Sequence, residues 1–300
     1  MEGKIFKSGF IGIIGKPNVG KSTLLNNIIG EKLAITTHKP QTTRNRITGI
    51  KNTEAGQFIF LDTPGIHKAK TPLNRSMVKE AVNTFADVEM LLLITEAHRA
   101  FTADDDFIFR TIEGIDIPVI LVINKIDLIE KEQLLPLIER LRHIYPFSEI
   151  VPLSALKGFN IDTLMDTLWG LLSEGPKYFP DDMITDSSER FLAAETIREK
   201  IMVLTHQEIP YSTAVIIDSF KEDERRGIIK MQATISVEKK SQKGIIIGRK
   251  GAMLKQIGTR ARLDMERFFG TRIFLELFVK VSRDWTRDSQ MLEEFGYTKI

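Results

Sequence analysis

The run Gly15-Lys16-Pro17-Asn18-Val19-Gly20-Lys21-Ser22 fits G-x-x-x-x-G-K-[ST], a spacing suited to holding phosphate. Gly15 and Gly20 let the backbone wrap closely round an anion, and the N–H groups at the start of the next helix face it. Lys21 is placed to reach β- and γ-phosphates, and the Ser22 hydroxyl to hold Mg²⁺, with Thr23 beside it. Glycine is common enough for such a run to arise by accident. Here it stands between an apolar run, Phe10–Ile14, and a helical pattern, Lys21–Ile29, which is the context the chemistry needs. About 40 residues further on comes Asp62-Thr63-Pro64-Gly65. An Asp at the end of a strand can hold Mg²⁺ through water, and the Gly65 N–H can meet a γ-phosphate and lose it on hydrolysis. Between the two motifs, Lys39-Pro40-Gln41-Thr42-Thr43-Arg44 has no apolar pattern. It reads either as a polar surface loop or as the segment whose threonine completes the Mg²⁺ shell, with Thr43 chosen over Thr42.

The base is addressed by Asn124-Lys125-Ile126-Asp127, which closes the apolar run Val119–Ile123. The Asp127 carboxylate can accept both N–H donors of guanine N1 and N2. Adenine offers no such pair, and polar matching of this kind discriminates by ~10⁴–10⁵. Asn124 braces the loop, and the Lys125 stem lies across the base. Ser154-Ala155-Leu156, after Ile150–Leu153, can present a backbone N–H to guanine O6. GTP is therefore expected, and Asp127 speaks against an ATP-driven motor. After Gly65, where many GTPases carry a water-orienting Gln, stands Ile66, which cannot hydrogen-bond. His67 follows, as a candidate base or, more simply, a surface histidine.

Short apolar runs must carry these motifs. Phe10–Ile14, Phe58–Leu61, Val88–Thr95, Val119–Asn124 and Ile150–Leu153 read as buried strands. They alternate with helical patterns at Lys21–Ile29, Arg75–Phe85, Asp104–Ile112, Glu132–Arg142 and Ile161–Leu172. That alternation predicts an α/β domain with a mostly parallel sheet. Thr48–Ile50 predicts one antiparallel edge strand, paired with Phe58–Leu61. Ser173–Asp182 holds Gly175, Pro176 and Pro180 and reads as a linker. Beyond it the rhythm changes to α-β-β-α-α-β-α. The expected elements are a helix Asp186–Leu204 capped by Asp186, a hairpin Ser212–Phe220 and Gly227–Val237, and helices Ala252–Gln256 and Thr259–Phe269 broken at Gly258. A strand Arg272–Val281 and a helix Trp285–Phe295 follow. The predicted domains are 1–172, a linker 173–183, and 184–300, the second an α+β domain.

Three hundred residues exceed one ordinary core, in keeping with two domains. The formal charge of +2 excludes a polybasic protein. The absence of cysteine excludes disulfides, thiolate metal sites and cysteine nucleophiles. No apolar run approaches the about 20 residues of a membrane span. The balance is uneven, however: residues 239–272 hold ten Lys and Arg against Asp264 and Glu266. Within them Gly248-Arg249-Lys250-Gly251 forms a G-x-x-G, flanked by Lys243 and Lys255. The pattern alone is weak, since Gly9/Gly12 and Gly12/Gly15 match it too. Its place after a hairpin, opening a helix pair inside a basic stretch, suits phosphate contacts to single-stranded RNA.

The ordered set G-x4-GKS, Thr, D-x-P-G, NKxD and SA resembles the Ras-like translation-factor class of GTPases. Joined to the C-terminal half, it resembles the Era family of bacterial ribosome-assembly GTPases. Ile184-Thr185-Asp186, Arg190-Phe191, Ile197-Arg198-Glu199-Lys200 and Pro210-Tyr211-Ser212 carry the likeness along the chain. The resemblance implies a P-loop GTPase domain followed by a KH domain of type II kind. It implies GTP and GDP with Mg²⁺ at Gly15, Asn18, Gly20, Lys21, Ser22, Thr23, Asp62, Gly65, Asn124, Lys125, Asp127, Ser154, Ala155 and Leu156. Of these, Lys21, Gly65 and Asn18, with Thr43, would serve catalysis, and Ser22, Thr43 and Asp62 the metal. It implies that Asn18 helps hold K⁺ against the phosphates, and that hydrolysis is slow until RNA and K⁺ stimulate it. Gly248, Arg249, Lys250, Gly251, Lys243 and Lys255 would bind the 3′ end of small-subunit ribosomal RNA. The small ribosomal subunit is then the expected partner, with no DNA. A cytoplasmic monomer is expected, with peripheral contact at the inner face of the membrane left open. The alternative is an RNA-binding scaffold whose nucleotide domain barely hydrolyses.

Overall fold

Strands covered on both faces need apolar residues at every position, and the first half of the chain supplies them. In the computed structural model, which describes residues 6–69, 71–99 and 101–297, six strands form one sheet in the order β2-β3-β1-β4-β5-β6. They are β1 Lys7–Gly15, β2 Ile47–Asn52, β3 Gly56–Asp62, β4 Met90–Glu96, β5 Val119–Asn124 and β6 Glu149–Pro152. All pairs are parallel except β2 with β3, the expected antiparallel edge. The helices are α1 Lys21–Ile29, α2 Pro72–Asn83, α3 Ala103–Ile112, α4 Lys131–Arg142 and α5 Ile161–Leu171. Ile14, Ile59, Leu93, Leu121 and Ile123 pack with Ile108 and Ile112 of α3 in a continuous core.

The chain divides into two units. The first comprises Met1–Ala34, Thr43–Lys70 and Met77–Asp186, and the second Ile35–Thr42, Thr71–Ser76 and Ser187–Ile300. The predicted ends of the two domains, 1–5 and 298–300, lie outside the described residues. Residues 173–183 are not a loose tether. The buried side chain of Gln57 accepts from the N–H groups of Tyr178 and Phe179, each at 3.0 Å, and donates to the Phe179 carbonyl at 2.9 Å. Asn52 donates to the Asp181 carbonyl at 2.9 Å. The segment lacks apolar periodicity because side-chain amides, rather than a hydrophobic face, dock it to the first unit.

The second unit follows α6 Glu189–Leu204, β7 Thr213–Asp223, β8 Ile228–Val237, α7 Lys240–Ile247, α8 Ala252–Phe269, β9 Arg272–Val281 and α9 Ser289–Glu294. β8 is central, antiparallel to β7 and parallel to β9. Ala193, Ile197 and Ile201 of α6 and Ile257, Ala261 and Met265 of α8 pack on Met231, Ala233 and Ile235. Here the local order differs from the sequence reading in four places, one being the expected helix Trp285–Phe295, which is a short 3-10 turn Trp285–Arg287 followed by α9. Ser188, not Asp186, caps α6, its hydroxyl accepting from the Phe191 N–H at 3.3 Å. α8 runs unbroken through Gly258, where an added Cβ would lie 3.3 Å from Leu277; the missing side chain lets α8 approach β9. The helix before Gly248, α7, takes up Ile245–Ile247, so the G-x-x-G joins the two helices rather than opening the pair.

Candidate functional site: a phosphate loop, a base loop and a basic helical turn

Parallel strands in register end together, and their carboxyl ends form a natural ligand edge. The pairs Ile13↔Asp62, Gly15↔Ile94 and Glu96↔Asn124 bring the ends of β1, β3, β4 and β5 to one edge. Gly20, at φ 103°, starts α1, and a Cβ there would fall 2.2 Å from Asn124 Nδ2. The second motif glycine is therefore required by the base loop as well as by phosphate. Lys21 is buried, and its Nζ donates to the carbonyls of Gly15, at 3.2 Å, and Lys16, at 2.9 Å. Burial pushes the ammonium down to about 8, against the pull of Asp62. Lys16 itself reaches Asp105 at 2.6 Å. Thr23 is half-buried in the first turn of α1.

Three oxygens gather beside Lys21. Ser22 Oγ donates to Asp62 Oδ2 at 2.6 Å and lies 2.8 Å from Thr43 Oγ1, which is 3.4 Å from the same carboxylate oxygen. Thr42 is not among them; its hydroxyl donates to the Lys39 carbonyl at 2.6 Å. Burial pushes the Asp62 carboxyl up to about 6, while Lys21, Ser22 and Thr43 pull it down. Asp62 Oδ1 is buried with no hydrogen-bond partner. A buried, orphaned carboxylate oxygen next to two hydroxyls suits a hard cation, so these residues fit Mg²⁺. Among the described residues no cluster of three or more His, Asp or Glu offers a rival metal site.

Gly65 touches the phosphate loop so closely that a Cβ would lie 2.6 Å from Pro17 N. Ile66 donates its N–H to the Gly15 carbonyl at 3.0 Å, and its side chain is fully buried in the sheet core. Its alkyl chain serves packing and has no access to an attacking water. His67 Nδ1 is 2.9 Å from the Gly65 carbonyl and must donate to it.

Asn124 binds three loops at once. Its Nδ2 donates to the Val19 carbonyl at 2.7 Å, and its Oδ1 accepts from the N–H groups of Lys125, at 2.7 Å, and Ala155, at 2.9 Å. Lys125 takes a left-handed backbone, φ 63°, and its Nζ donates to the Asn18 carbonyl at 2.9 Å and pairs with Glu96. Asn18 is left-handed too, at φ 67°. Asp127 and Leu156 are exposed, and Ser154 is buried, its hydroxyl accepting from the Lys157 N–H at 3.2 Å. Glu96 belongs to no motif, and nothing in its local sequence singles it out.

In the second unit, Gly248 ends α7 at φ 72°, and a Cβ there would lie 2.7 Å from that of Met253. Arg249 and Lys250 are exposed on the turn, with Lys250 at φ 52°. Gly251 begins α8, whose first turn carries no acidic residue and no side-chain cap. Its N–H groups therefore keep their pull on an anion. Lys255 is exposed in that helix, and Lys243 is half-buried on α7.

Residues 10–125 match the family described as 50S ribosome-binding GTPase, and residues 208–286 match the KH domain. The chain is 65% identical to GTPase Era of Syntrophus aciditrophicus (strain SB), over 98% of this chain and 96% of that protein. It is 54% identical to GTPase Era of Geobacter sp. (strain M21), over 99% and 100%. Two solved structures superpose with a TM-score of 0.95 at 44% identity, covering 98% of this chain and 100% of theirs. One is a variant of Aquifex aeolicus Era bound to GDP·AlF4⁻, and the other is Era in complex with MgGDPNP and nucleotides 1506–1542 of 16S ribosomal RNA. From its phosphate loop to its KH domain, the chain belongs to the GTPase Era family.

Proposed function

We propose that the protein is a GTP-hydrolysing switch whose C-terminal KH domain binds the 3′ end of small-subunit ribosomal RNA during subunit assembly. The observation that carries the nucleotide half is the meeting of Ser22, Thr43 and Asp62 beside Lys21, with Asp62 Oδ1 left unpartnered. Mg²⁺ held there would neutralise charge on the terminal phosphates. Lys21 donates to the β- and γ-phosphates, and the Gly65 N–H to the γ-phosphate. Asn124 and Lys125 hold the base loop while Asp127 accepts from guanine. Thr43 and Gly65 sit in loops that hydrolysis releases.

With Ile66 committed to the core, the charge that stabilises the transition state must come from elsewhere. Asn18 at the phosphate loop is the residue that would help seat K⁺ in that role. On the RNA side, the Gly248–Gly251 turn offers glycine clearance, two exposed cations and an unquenched helix start. The bound 16S fragment of the solved relative fits the same reading. If RNA and GTP prefer one state of the protein, each raises the other's affinity by the same factor.

The experiment is phosphate release from GTP and from ATP, in K⁺ and in Na⁺ buffer, with and without a ribosomal RNA 3′-end oligonucleotide. GTP-specific release, faster with K⁺ and RNA, is expected. Equal rates in K⁺ and Na⁺ would remove Asn18 from catalysis. Ile66 also favours a second reading, a scaffold that binds GTP without turnover. Absence of phosphate release even with both activators would establish it.

A further inference from the structure

We propose that Glu96 is a positioning residue for guanine-nucleotide retention: it holds Lys125 in the base site and, through Lys125, ties the end of β4 to the phosphate loop. The inference rests on the reading of the 124–127 loop as the base-binding loop.

Glu96 is the last residue of β4, directly opposite Asn124 in the parallel register. The Ala97 N–H donates to the Asn124 carbonyl at 2.8 Å, so the backbone fixes the carboxylate alongside the loop. The Glu96 side chain is only 3% exposed. A carboxylate so covered needs cations, and it has two: Lys125 Nζ on Oε1, and Arg99 Nε at 3.3 Å from Oε2. Of these, Arg99 is 63% exposed and Lys125 29%. The inner partner is therefore Lys125, whose Nζ also donates to the Asn18 carbonyl.

The lysine is thus held at both sides of its amine, by β4 and by the phosphate loop, from a left-handed backbone that few residues adopt. A free lysine would lose its rotamer freedom when a base slides under its stem. Here the carboxylate has already removed that freedom, and pre-organisation of this kind shows chiefly as slower dissociation. The placement also differs from a bystander ion pair. Asn124 and Lys125 leave one loop for two separate phosphate-loop carbonyls, Val19 and Asn18. Glu96 is the group that directs the second of these links.

The test uses the full chain and the release of N-methylanthraniloyl GDP chased by unlabelled GDP. Glu96→Ala should release nucleotide about tenfold faster and raise KM, with kcat at saturating GTP within about twofold of the parent. Glu96→Gln keeps the shape and one acceptor while losing the charge. It should fall between the two, and it carries the test should the alanine variant fold poorly. Arg99→Ala should leave release within about twofold, because the Arg99 end of the pair lies largely in solvent and Lys125 still pairs with the carboxylate.

The decisive comparison is the cycle with Lys125→Ala. If Glu96 acts through Lys125, the double variant releases nucleotide no faster than Lys125→Ala alone. Fully additive effects, or unchanged release in both Glu96 variants while Lys125→Ala accelerates it, overturn the proposal. A parent protein that fails to retain labelled GDP would instead overturn the base-loop reading on which it rests.

Discussion

The two units build their sites by opposite means. In the first, β5 is buried at every position, and the polar groups at its end satisfy one another: Asn124 alone joins three loops, and Asp62 gathers two hydroxyls. In the second, β9 alternates, with Ile273 buried and Phe274 and Phe278 exposed, and the residues that would meet RNA stand out from a glycine turn. One site is a lock whose parts hold each other before the ligand arrives. The other is a local field around a permissive backbone. A lock should fail abruptly when one part is changed, whereas a field should weaken in steps and respond to salt.

Predictions that separate the two follow from that contrast, the largest first. Asp127→Asn should cost about 10⁴-fold in preference for GTP over xanthosine triphosphate, read by competition binding, since it reverses one side of a polar match. A small loss would mean that the base site is as graded as the RNA site. Thr43→Ala should slow phosphate release by about 10²-fold, while Thr42→Ala changes it little, because only Thr43 reaches Ser22 and Asp62. Equal effects would undo the assignment of the metal shell.

On the other side, Arg249→Ala with Lys250→Ala should weaken RNA binding by about tenfold at physiological salt. It should lower the salt slope by about 1.4 and leave nucleotide affinity alone. An all-or-none loss with an unchanged slope would show that the turn is a lock after all. The smallest effect is on pH. In the nucleotide-free protein Asp62 keeps its proton up to about 6, whereas the unfolded chain releases it near the ordinary value of 3.8. The folded state then binds more protons between these values, so this residue's contribution to stability falls as pH rises from about 4 to about 6. Lys21 acts in the alkaline range. It gives up its proton near 8 when folded and near 10.5 when unfolded, so its contribution grows with pH between those points. Thermal melts of Asp62→Asn should lose the acid-window slope of the parent and steepen in the alkaline window, because Lys21 loses the carboxylate that holds its pKa up.

What could be read from the chain depended on whether partners are neighbours in sequence. Gly15–Ser22, Asp62–Gly65 and Asn124–Asp127 are each contiguous, and each sits at a strand end that apolar runs reveal. Thr43 and Thr42 are harder to tell apart in the sequence, because adjacent threonines differ only in which way the backbone turns them. Glu96 gave no sign at all: its partner Lys125 is 29 residues away, and a lone acidic residue after a strand has no pattern. α7 and the joined α8 were obscured for another reason. Ile245–Ile247 is as good a strand as a helix by local preference, and Gly258 reads as a break until Leu277 is seen packing against it. In both places tertiary contact overrides propensity.

The Asn124 side chain has one more consequence. Because it donates to the Val19 carbonyl and accepts from the Lys125 and Ala155 N–H groups, the loop assigned to the base and the loop assigned to phosphate are tied directly to each other. GTP is then a chelating ligand, with its two ends tied by a ribose and its two receptors tied by an asparagine. Guanosine and triphosphate offered separately would forfeit that effective concentration. An inhibitor built for this family would gain more from a rigid link between weak base and phosphate mimics than from strengthening either end.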